Sequence, residues 1–271
     1  MPSSLLMRIF IFFLHGSGWV VQRRPVSGLR GDLERYRLFP WITRPPESNH
    51  GSDRTARLWA MAIILIRHGE TSGNRDRVLQ VPETPLNEQG FGQAARLARR
   101  LSDHPVSRLL SSDLARAHLT AEAISQEMGL PVETEPLLQE RNFGDLRGRR
   151  YADLDEDPFG PDYSPPGGES WADFHARVDR AWERVCHEAM ETPEDLAVVT
   201  HGLVLHSMVS RILDGGEGAS EEEGAELPLQ FRNTAITIVE PREPWKVRLL
   251  GCAAHLDEDG EEGSGVGISG L

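Results

Sequence analysis

The stretch IILIRHGETSGN, residues 63–74, joins an apolar run to an arginine, a histidine, a glycine and a glutamate. The apolar part consists of Ile and Leu, a composition typical of a buried strand. A strand that ends in two cationic side chains is suited to hold an anion at its end, where the histidine can react with it. The alternative is a surface turn that happens to carry a histidine, and the rest of the sequence has to separate the two interpretations.

The composition is that of a soluble globular protein, with 39% hydrophobic and 26% charged residues in a chain of 271. The net charge is -13, although residues 1–60 carry nine arginines against four acidic residues. An acidic main domain repels nucleic acid and anionic lipid, so we expect neither nucleic acid nor a membrane as a partner. No apolar run reaches the roughly 18 residues of a membrane span, and the sequence predicts a cytoplasmic protein.

The two cysteines, Cys186 and Cys252, form no CxxC pair and define no disulfide framework. We expect both to be buried apolar fillers in a reducing compartment. No HExxH or other metal-ligand spacing occurs in the sequence, so it predicts neither a metal nor a cofactor.

Three segments divide the chain. Residues 1–60 are rich in Arg, Pro and Ser without a sustained period, which predicts a poorly ordered extension. Because 28 arginines against one lysine are typical of GC-rich coding, this extension is interpreted as an over-extended gene start before Met61. A targeting or partner-binding arm is the alternative. Residues 61–256 form the predicted domain, and residues 257–271 an acidic Gly-rich tail.

Strand and helix patterns alternate after Met61. The predicted strands are AIILIR, VSRLLSS, DLAVVTHG, TAITIVE and WKVRLLG, and the segments with helical spacing include NEQGFGQAARLARRL, DLARAHLTAEAISQEMG and SWADFHARVDRAWERVCHEAM. Such alternation predicts an α/β sandwich with a mostly parallel sheet. Ligands of these sheets bind at the carboxyl ends of the strands, next to helix N-termini.

Five side chains carry chemistry in this arrangement. His68 and His201 each follow a predicted strand and precede a glycine that lets the backbone turn sharply. An imidazole is a competent nucleophile toward phosphorus, and guanidinium groups such as those of Arg67 and Arg116 suit phosphate oxygens. Glu140, in a loop, is the candidate general acid if its pKa is raised. The pattern predicts transfer of a phosphoryl group to a histidine.

Simpler interpretations exist for each residue. The two histidines are otherwise core side chains, and the two arginines are otherwise surface ion-pair partners. Glu135 and Asp145 lie close enough in sequence to compete with Glu140 as the acid. Ser170 is interpreted as the N-terminal signal of a helix whose stripe of Trp and apolar residues packs in the core.

The motifs RHGET, SSDLARAHLTA, LQERNFGDLRG, PPGGESW and VVTHG occur in this order. With them the chain resembles the histidine phosphatase superfamily, the phosphoglycerate-mutase-like proteins, over about residues 61–256. The resemblance implies a three-layer α/β/α sandwich with a mostly parallel central sheet, and a phosphohistidine intermediate. It implies His68 as the nucleophile and Glu140 as the proton donor. The phosphoryl-binding set that it implies consists of Arg67, Arg116, His201, Asn74 and Thr71.

The chain also departs from the family pattern. Leu146-Arg147-Gly148 stands where many phosphatases have Trp-Glu-Gly, and His206 stands where an arginine usually follows the second His-Gly. The loop VLQVPETPLNEQG lacks the glycine of the common QGxxDxPL. These departures bear on substrate preference. Arg147 and Arg149 either reach a second acidic group on the substrate or are solvated loop side chains.

The resemblance favours the phosphatase branch, because the span from Glu140 to His201 is short and the mutase-like WNxxNxFxGW run is absent. We therefore expect a phosphomonoesterase, independent of metal and cofactor, that acts on a small phosphorylated substrate. Leu146 in GDLRG is similar to the mutases, so a 2,3-bisphosphoglycerate-dependent phosphoglycerate mutase is the alternative. A non-catalytic phosphate-sensing module and a phosphoprotein phosphatase are further hypotheses, and the sequence does not indicate an oligomeric state.

Overall fold

A computed structural model describes residues 10–15, 18–23, 61–214 and 231–257. The chain divides into two units, Met1–Ser52 and Asp53–Leu271. In the first unit, strands β1 (Phe10–His15) and β2 (Gly18–Arg23) pair antiparallel, which the sequence did not predict. The other predictions for residues 1–60, and those for the acidic loop and the tail beyond residue 257, lie outside the described residues.

The second unit contains a six-stranded sheet with the order β5-β4-β6-β3-β7-β8. Its first four members are parallel, whereas β7 runs antiparallel to both β3 and β8. The predicted mostly parallel sheet is confirmed, although the short β5 was not predicted. The strands are β3 (Ile63–Arg67), β4 (Val106–Ser111), β5 (Val132–Thr134), β6 (Asp195–Thr200), β7 (Ile236–Val239) and β8 (Val247–Cys252).

Helices cover both faces of this sheet. They are α1 (Ser72–Asp76), α2 (Glu88–Leu101), α3 (Ala115–Met128), α4 (Trp171–Glu191) and α5 (Gly202–Arg211). Because side chains alternate along a strand, Ile63 and Leu65 join the core formed with α4 and α5, while Ile64 and Ile66 join the core formed with α2 and α3. The three-layer α/β/α sandwich is therefore confirmed.

Helix α4 begins where the sequence predicts. The Ser170 hydroxyl accepts a hydrogen bond from the Asp173 N–H at 3.1 Å, as an N-cap does. Phe174, Val178 and Trp182 of its apolar stripe are buried. None of the helices in the described ranges has the length and apolarity of a membrane span.

The expectation that both cysteines are buried apolar fillers is wrong for Cys252 and holds in part for Cys186, which packs against the hydrophobic core. Cys186 and Cys252 are free thiols, and each is half-buried. Cys252 also accepts a hydrogen bond from Arg100 at 3.2 Å, so its surroundings are polar rather than apolar.

Candidate active site

The register of the sheet brings the two strand-end histidines together. Strands β3 and β6 pair in parallel with Arg67 opposite Thr200, so the residues that follow leave the sheet side by side. The backbone N–H of His68 donates to the Thr200 carbonyl at 3.0 Å, and the ring centroids of His68 and His201 lie 5.1 Å apart. Both side chains are buried at the carboxyl edge of the sheet, as the sequence predicts.

Of the two glycines after these histidines, Gly69 allows a close approach of two backbone segments, whereas a Cβ on Gly202 would make only ordinary contacts. Neither Gly69 nor Gly202 is among the residues with a positive φ, so the predicted conformational reason is wrong. A Cβ on Gly69 would lie 2.7 Å from the carbonyl oxygen of Gly90, which no real contact allows. Gly69 therefore lets α2 pack directly against the loop that carries His68.

The tautomer of His68 follows from its hydrogen bond. Its Nδ1 lies 2.7 Å from the carbonyl oxygen of Gly69, and because a carbonyl only accepts, Nδ1 carries the proton. Burial, followed by the charges of Arg116 and Arg67, holds the pKa of His68 well below its ordinary value. The ring is thus neutral near pH 7 with its lone pair on Nε2, the state in which imidazole is a nucleophile.

In His201 the hydrogen-bonded nitrogen is Nε2, whereas in His68 it is Nδ1. Nε2 of His201 lies 2.8 Å from the Ser112 hydroxyl, while its buried Nδ1 has no hydrogen-bond partner among the described residues. Ser112 follows β4, whose end pairs with β6, so the sheet also places this contact. Burial, followed by Arg116, holds the pKa of His201 well below its ordinary value. The His201 side chain is not part of the cavity wall and contacts the ring of His68.

Arg67 and Arg116 both line the cavity, and each is only 3% exposed. The Arg67 guanidinium donates to the carbonyl of Phe231. Arg116 donates to the Val81 carbonyl at 3.4 Å, and within the described part of the chain its Nε has no partner and it forms no ion pair. Burial lowers the pKa of Arg116 to about 10. Because both side chains are buried, the alternative that they are surface ion-pair partners is wrong. For Arg116, a buried cation without an ionic partner is unfavourable unless an anion binds.

Thr71 and Asn74 form the start of α1. The Thr71 hydroxyl accepts from the Asn74 N–H at 3.0 Å and the Thr71 N–H donates to Asn74 Oδ1 at 3.2 Å, which is a capping box. Asn74 lines the cavity and Thr71 does not. Because Oδ1 of Asn74 is engaged by Thr71, its Nδ2 is the group available to a ligand.

Glu140 lines the same cavity. Its Oε1 accepts from the Arg141 N–H at 3.0 Å and its Oε2 from the Leu203 N–H at 3.2 Å, at the start of α5. Burial raises the pKa of Glu140 despite these two hydrogen bonds, so the carboxyl keeps a proton to higher pH than usual. The two competitors do not line the cavity: Glu135 accepts from the Leu137 N–H at 3.0 Å, and Asp145 is exposed.

Two buried or half-buried arginines hold the loop that carries Glu140. Arg177 of α4 makes a bidentate ion pair with Glu169 at 2.7 and 2.8 Å, and it also donates to the backbone carbonyl of Glu140 at 3.3 Å. The guanidinium of Arg141 lies 3.9 Å from the Trp171 ring centroid and donates to the carbonyls of Pro158, Tyr163 and Glu169. The sequence carries no signal for either role.

The structure adds residues that the sequence did not identify. Gln80 and Tyr151 line the cavity, and burial raises the pKa of Tyr151 to about 12. Two arginines lie in the loop whose sequence differs from the family pattern. Arg147 lines the cavity, whereas Arg149 is exposed and donates to the Asp153 carbonyl at 2.6 Å. His206 is not part of the cavity wall.

A cavity at the sheet edge with a nucleophilic histidine, buried arginines and a buried carboxyl of raised pKa defines a phosphate-handling class of protein. The sequence profile of the histidine phosphatase superfamily, branch 1, matches residues 63–251. The chain therefore belongs to this superfamily, which confirms the resemblance.

Relatives of known name cover most of the chain. Phosphoglycerate mutase-like protein 4 of Arabidopsis thaliana is 32% identical over 220 residues, 76% of this chain and 91% of its own. The "Probable phosphoglycerate mutase GpmB" of Cronobacter sakazakii is 33% identical over 213 residues, 73% of this chain and 95% of its own.

Solved structures of phosphatases share the fold. A mycobacterial glucosyl-3-phosphoglycerate phosphatase in complex with VO3 is 25% identical, with a TM-score of 0.59 over 71% of this chain and 100% of its own. The α-ribazole phosphatase of Shigella flexneri is 27% identical, with a TM-score of 0.59 over 71% and 97%. Family and neighbours together indicate a phosphatase or mutase enzyme.

Proposed function

We propose that this chain is a phosphomonoesterase that hydrolyses a small phosphate ester through a phosphohistidine on His68. The observation that carries the proposal is the tautomer of His68, which places the Nε2 lone pair of a neutral ring beside the buried guanidinium groups of Arg67 and Arg116. All three side chains line one cavity, so a phosphate bound by the guanidinium groups would lie within reach of the nucleophile.

In the first step, Nε2 of His68 attacks phosphorus and the bond to the leaving oxygen breaks. Arg67, Arg116 and Nδ2 of Asn74 stabilise charge on the three phosphoryl oxygens. With the Ser112 hydroxyl donating to Nε2 of His201, Nδ1 of His201 carries a proton, and the His201 ring contacts that of His68 without lining the cavity. The Glu140 carboxyl, kept protonated by burial, gives its proton to the leaving alkoxide.

In the second step, water attacks the phosphorus of phospho-His68. Glu140, now a carboxylate, accepts the proton of that water, and inorganic phosphate leaves as Nε2 regains its lone pair. The attacking water enters through the cavity that Glu140 and the two arginines line. Side chains of the cavity supply both the charge stabilisation and the proton transfers.

A phosphoglycerate mutase is the second candidate, favoured by the names of the relatives in Arabidopsis and Cronobacter. Hydrolysis is favoured by the span from Glu140 to His201, which the structure describes throughout. This span is short and contains turns, loops, α4 and β6, and several of its side chains, among them Tyr151 and Phe159, line the cavity. Hydrolysis is also favoured by the names of the mycobacterial and Shigella neighbours, which are phosphatases.

Phosphate release from a panel of esters by the full chain, with EDTA present, tests the proposal. The panel includes 3-phosphoglycerate, and formation of 2-phosphoglycerate is followed in parallel. We expect phosphate release without isomerisation. Isomerisation that depends on a bisphosphoglycerate primer would assign the chain to the mutases, and phosphate binding without either activity would favour the sensing module.

A further inference from the structure

Residues 231–235, just before β7, surround the backbone of the RHG motif. The Phe231 carbonyl accepts from the Arg67 guanidinium, and the Ala235 carbonyl accepts from the Arg67 N–H at 3.2 Å. Asn233 Nδ2 donates to the His68 carbonyl at 3.0 Å. The Thr234 N–H lies 3.0 Å from the Arg67 carbonyl and 3.3 Å from that of His68. This segment therefore fixes the position from which the nucleophile projects.

Thr234 is held in an unfavourable backbone conformation. Its φ is +58°, in the left-handed region that β-branched residues rarely adopt, and its side chain is fully buried. Such a conformation persists only where the surrounding contacts determine it, and it occurs preferentially at functional sites. Here it brings the Thr234 N–H to the carbonyls of Arg67 and His68.

A chain of hydrogen bonds continues from Thr234 into the C-terminal part of the domain. The Thr234 hydroxyl has one proton, which it donates to the Asn233 carbonyl at 2.7 Å. It therefore accepts from Nε2 of His255, 3.0 Å away. Nδ1 of His255 then holds a lone pair and accepts from Arg100 Nη1 at 3.1 Å, since a guanidinium only donates. Each donated proton in this series of hydrogen bonds has an acceptor when His255 is neutral.

These hydrogen bonds join elements that are distant in sequence. Arg100 lies in α2, where it also donates to the Cys252 carbonyl at 3.3 Å, and His255 lies in a buried 3₁₀ turn after β8. At the other end, Asn233 Nδ2 also lies 3.4 Å from Asn74 Oδ1. That contact orients the Asn74 amide so that its Nδ2 faces the cavity.

We propose that Asn233, Thr234, His255 and Arg100 are positioning residues that hold His68 and Asn74 in the geometry required for attack on phosphorus. The inference rests on the proposed role of His68 as nucleophile. None of the four side chains lines the cavity, so they act through His68 and Asn74 rather than on the substrate. Displacing a reacting group by about 1 Å lowers a rate by about 10²-fold, and we expect such an effect on kcat with little change in KM.

Two substitutions at Thr234 of the full chain distinguish a positioning role of its hydroxyl from a role in folding. Thr234→Gly removes the hydroxyl, but glycine adopts a φ of +58° without strain, so the backbone hydrogen bonds of residue 234 are retained. Thr234→Ser keeps the hydroxyl. We expect the glycine variant to lose about ten- to 100-fold in kcat, with KM within about twofold and an unchanged melting temperature. The serine variant is expected to keep the wild-type rate.

A glycine variant with wild-type kcat would overturn the inference while leaving the proposed function intact. If the wild-type chain releases no phosphate from any ester, the proposed function fails, and ¹⁵N-histidine NMR then decides the inference without turnover. The His68 ring signals, assigned by comparison with His68→Ala, are expected to show one Nδ1–H tautomer in the wild type and broadened or shifted signals in Thr234→Gly. Identical His68 signals in both proteins would overturn the inference.

Discussion

The two walls of the cavity are held by different kinds of contact. On the sheet-edge wall, Arg67 and His68 project from a strand end whose register with β6 and whose backbone hydrogen bonds to residues 231–235 fix them. On the loop wall, Glu140 and Arg147 lie in irregular segments, and Glu140 is presented by side-chain contacts from Arg177. The backbone thus fixes the sheet-edge wall, whereas side-chain contacts hold much of the loop wall.

This difference suggests how one fold serves several esters. The mycobacterial and Shigella neighbours share the fold, and their names differ, a glucosyl-3-phosphoglycerate phosphatase and an α-ribazole phosphatase. A wall built from the sheet tolerates little change without loss of the phosphoryl chemistry. A wall built from loops accepts new side chains, such as Arg147 in this chain, at small cost to the fold.

The largest effect is expected at the sheet-edge wall. His68→Ala removes the nucleophile and is expected to lower kcat by roughly 10⁴-fold or more, measured by phosphate release with an ester that the wild type hydrolyses. His187→Ala is the matched control, because His187 is an exposed side chain outside the cavity. A His68→Ala variant with more than a tenth of the wild-type rate would show that another group attacks phosphorus.

Glu140→Gln is expected to have a smaller effect that depends on the leaving group. Loss of the general acid lowers kcat by about 10²- to 10³-fold for alkyl phosphates, whereas aryl phosphates with good leaving groups need little protonation. Rates for a series of esters with leaving groups of different pKa measure this dependence. Equal losses for alkyl and aryl esters would contradict the acid role, and Glu135→Gln, at the competing position, serves as the control.

The pH dependence of kcat/KM tests the protonation states of His68 on the sheet-edge wall and Glu140 on the loop wall. His68 must be neutral, and its lowered pKa keeps it so until the pH falls through that value. Glu140 must be protonated, and its raised pKa keeps it so until the pH rises through that value. Activity is thus expected to be maximal on the acidic side of neutral and to fall by about tenfold per pH unit on the basic limb.

Glu140→Gln should flatten that basic limb, once the second ionisation of the ester has been accounted for. A rate that instead rises through the ordinary pKa of histidine, about 6.5, would show that burial does not keep His68 neutral.

The sheet-edge wall was predictable because its residues occupy strand ends. The positions of His68 and Arg116 are predicted from the apolar strands and the helix pattern that follows, and parallel pairing also brings His201 to His68. Glu140 was a candidate acid from its loop position and matches the proton donor of the family, with Glu135 and Asp145 as competitors. Only the tertiary contacts of its loop separate them.

The sequence around Tyr151 and Thr234 does not indicate where these residues lie in the fold. Tyr151 and Thr234 lie in irregular segments, and their placement depends on contacts with residues far away in sequence. The conformation of Thr234 is also the opposite of what its β-branched side chain prefers. A residue held against its local preference cannot be identified from propensity, because tertiary packing determines its backbone angles.

The smallest effect is expected from Arg147→Glu on the loop wall. Arg147 lines the cavity and forms no ion pair within residues 61–214 or 231–257. Reversing its charge is expected to lower kcat/KM by about fivefold for esters whose leaving group is anionic, such as 3-phosphoglycerate. For an ester whose leaving group carries no further charge, such as phenyl phosphate, kcat/KM should change little. Arg149→Glu, in the same loop but outside the cavity, is the control, and equal effects on both esters would show that Arg147 does not contact the leaving group.

Trapping of the phosphoenzyme tests the central claim most directly. The full chain is mixed with a ³²P-labelled ester, quenched in alkali, which preserves phosphohistidine, and digested to map the label. We predict that the label lies on the peptide containing His68 and is absent from His68→Ala. Turnover without a labelled protein, or a label on His201, would contradict the assignment of His68 as the nucleophile.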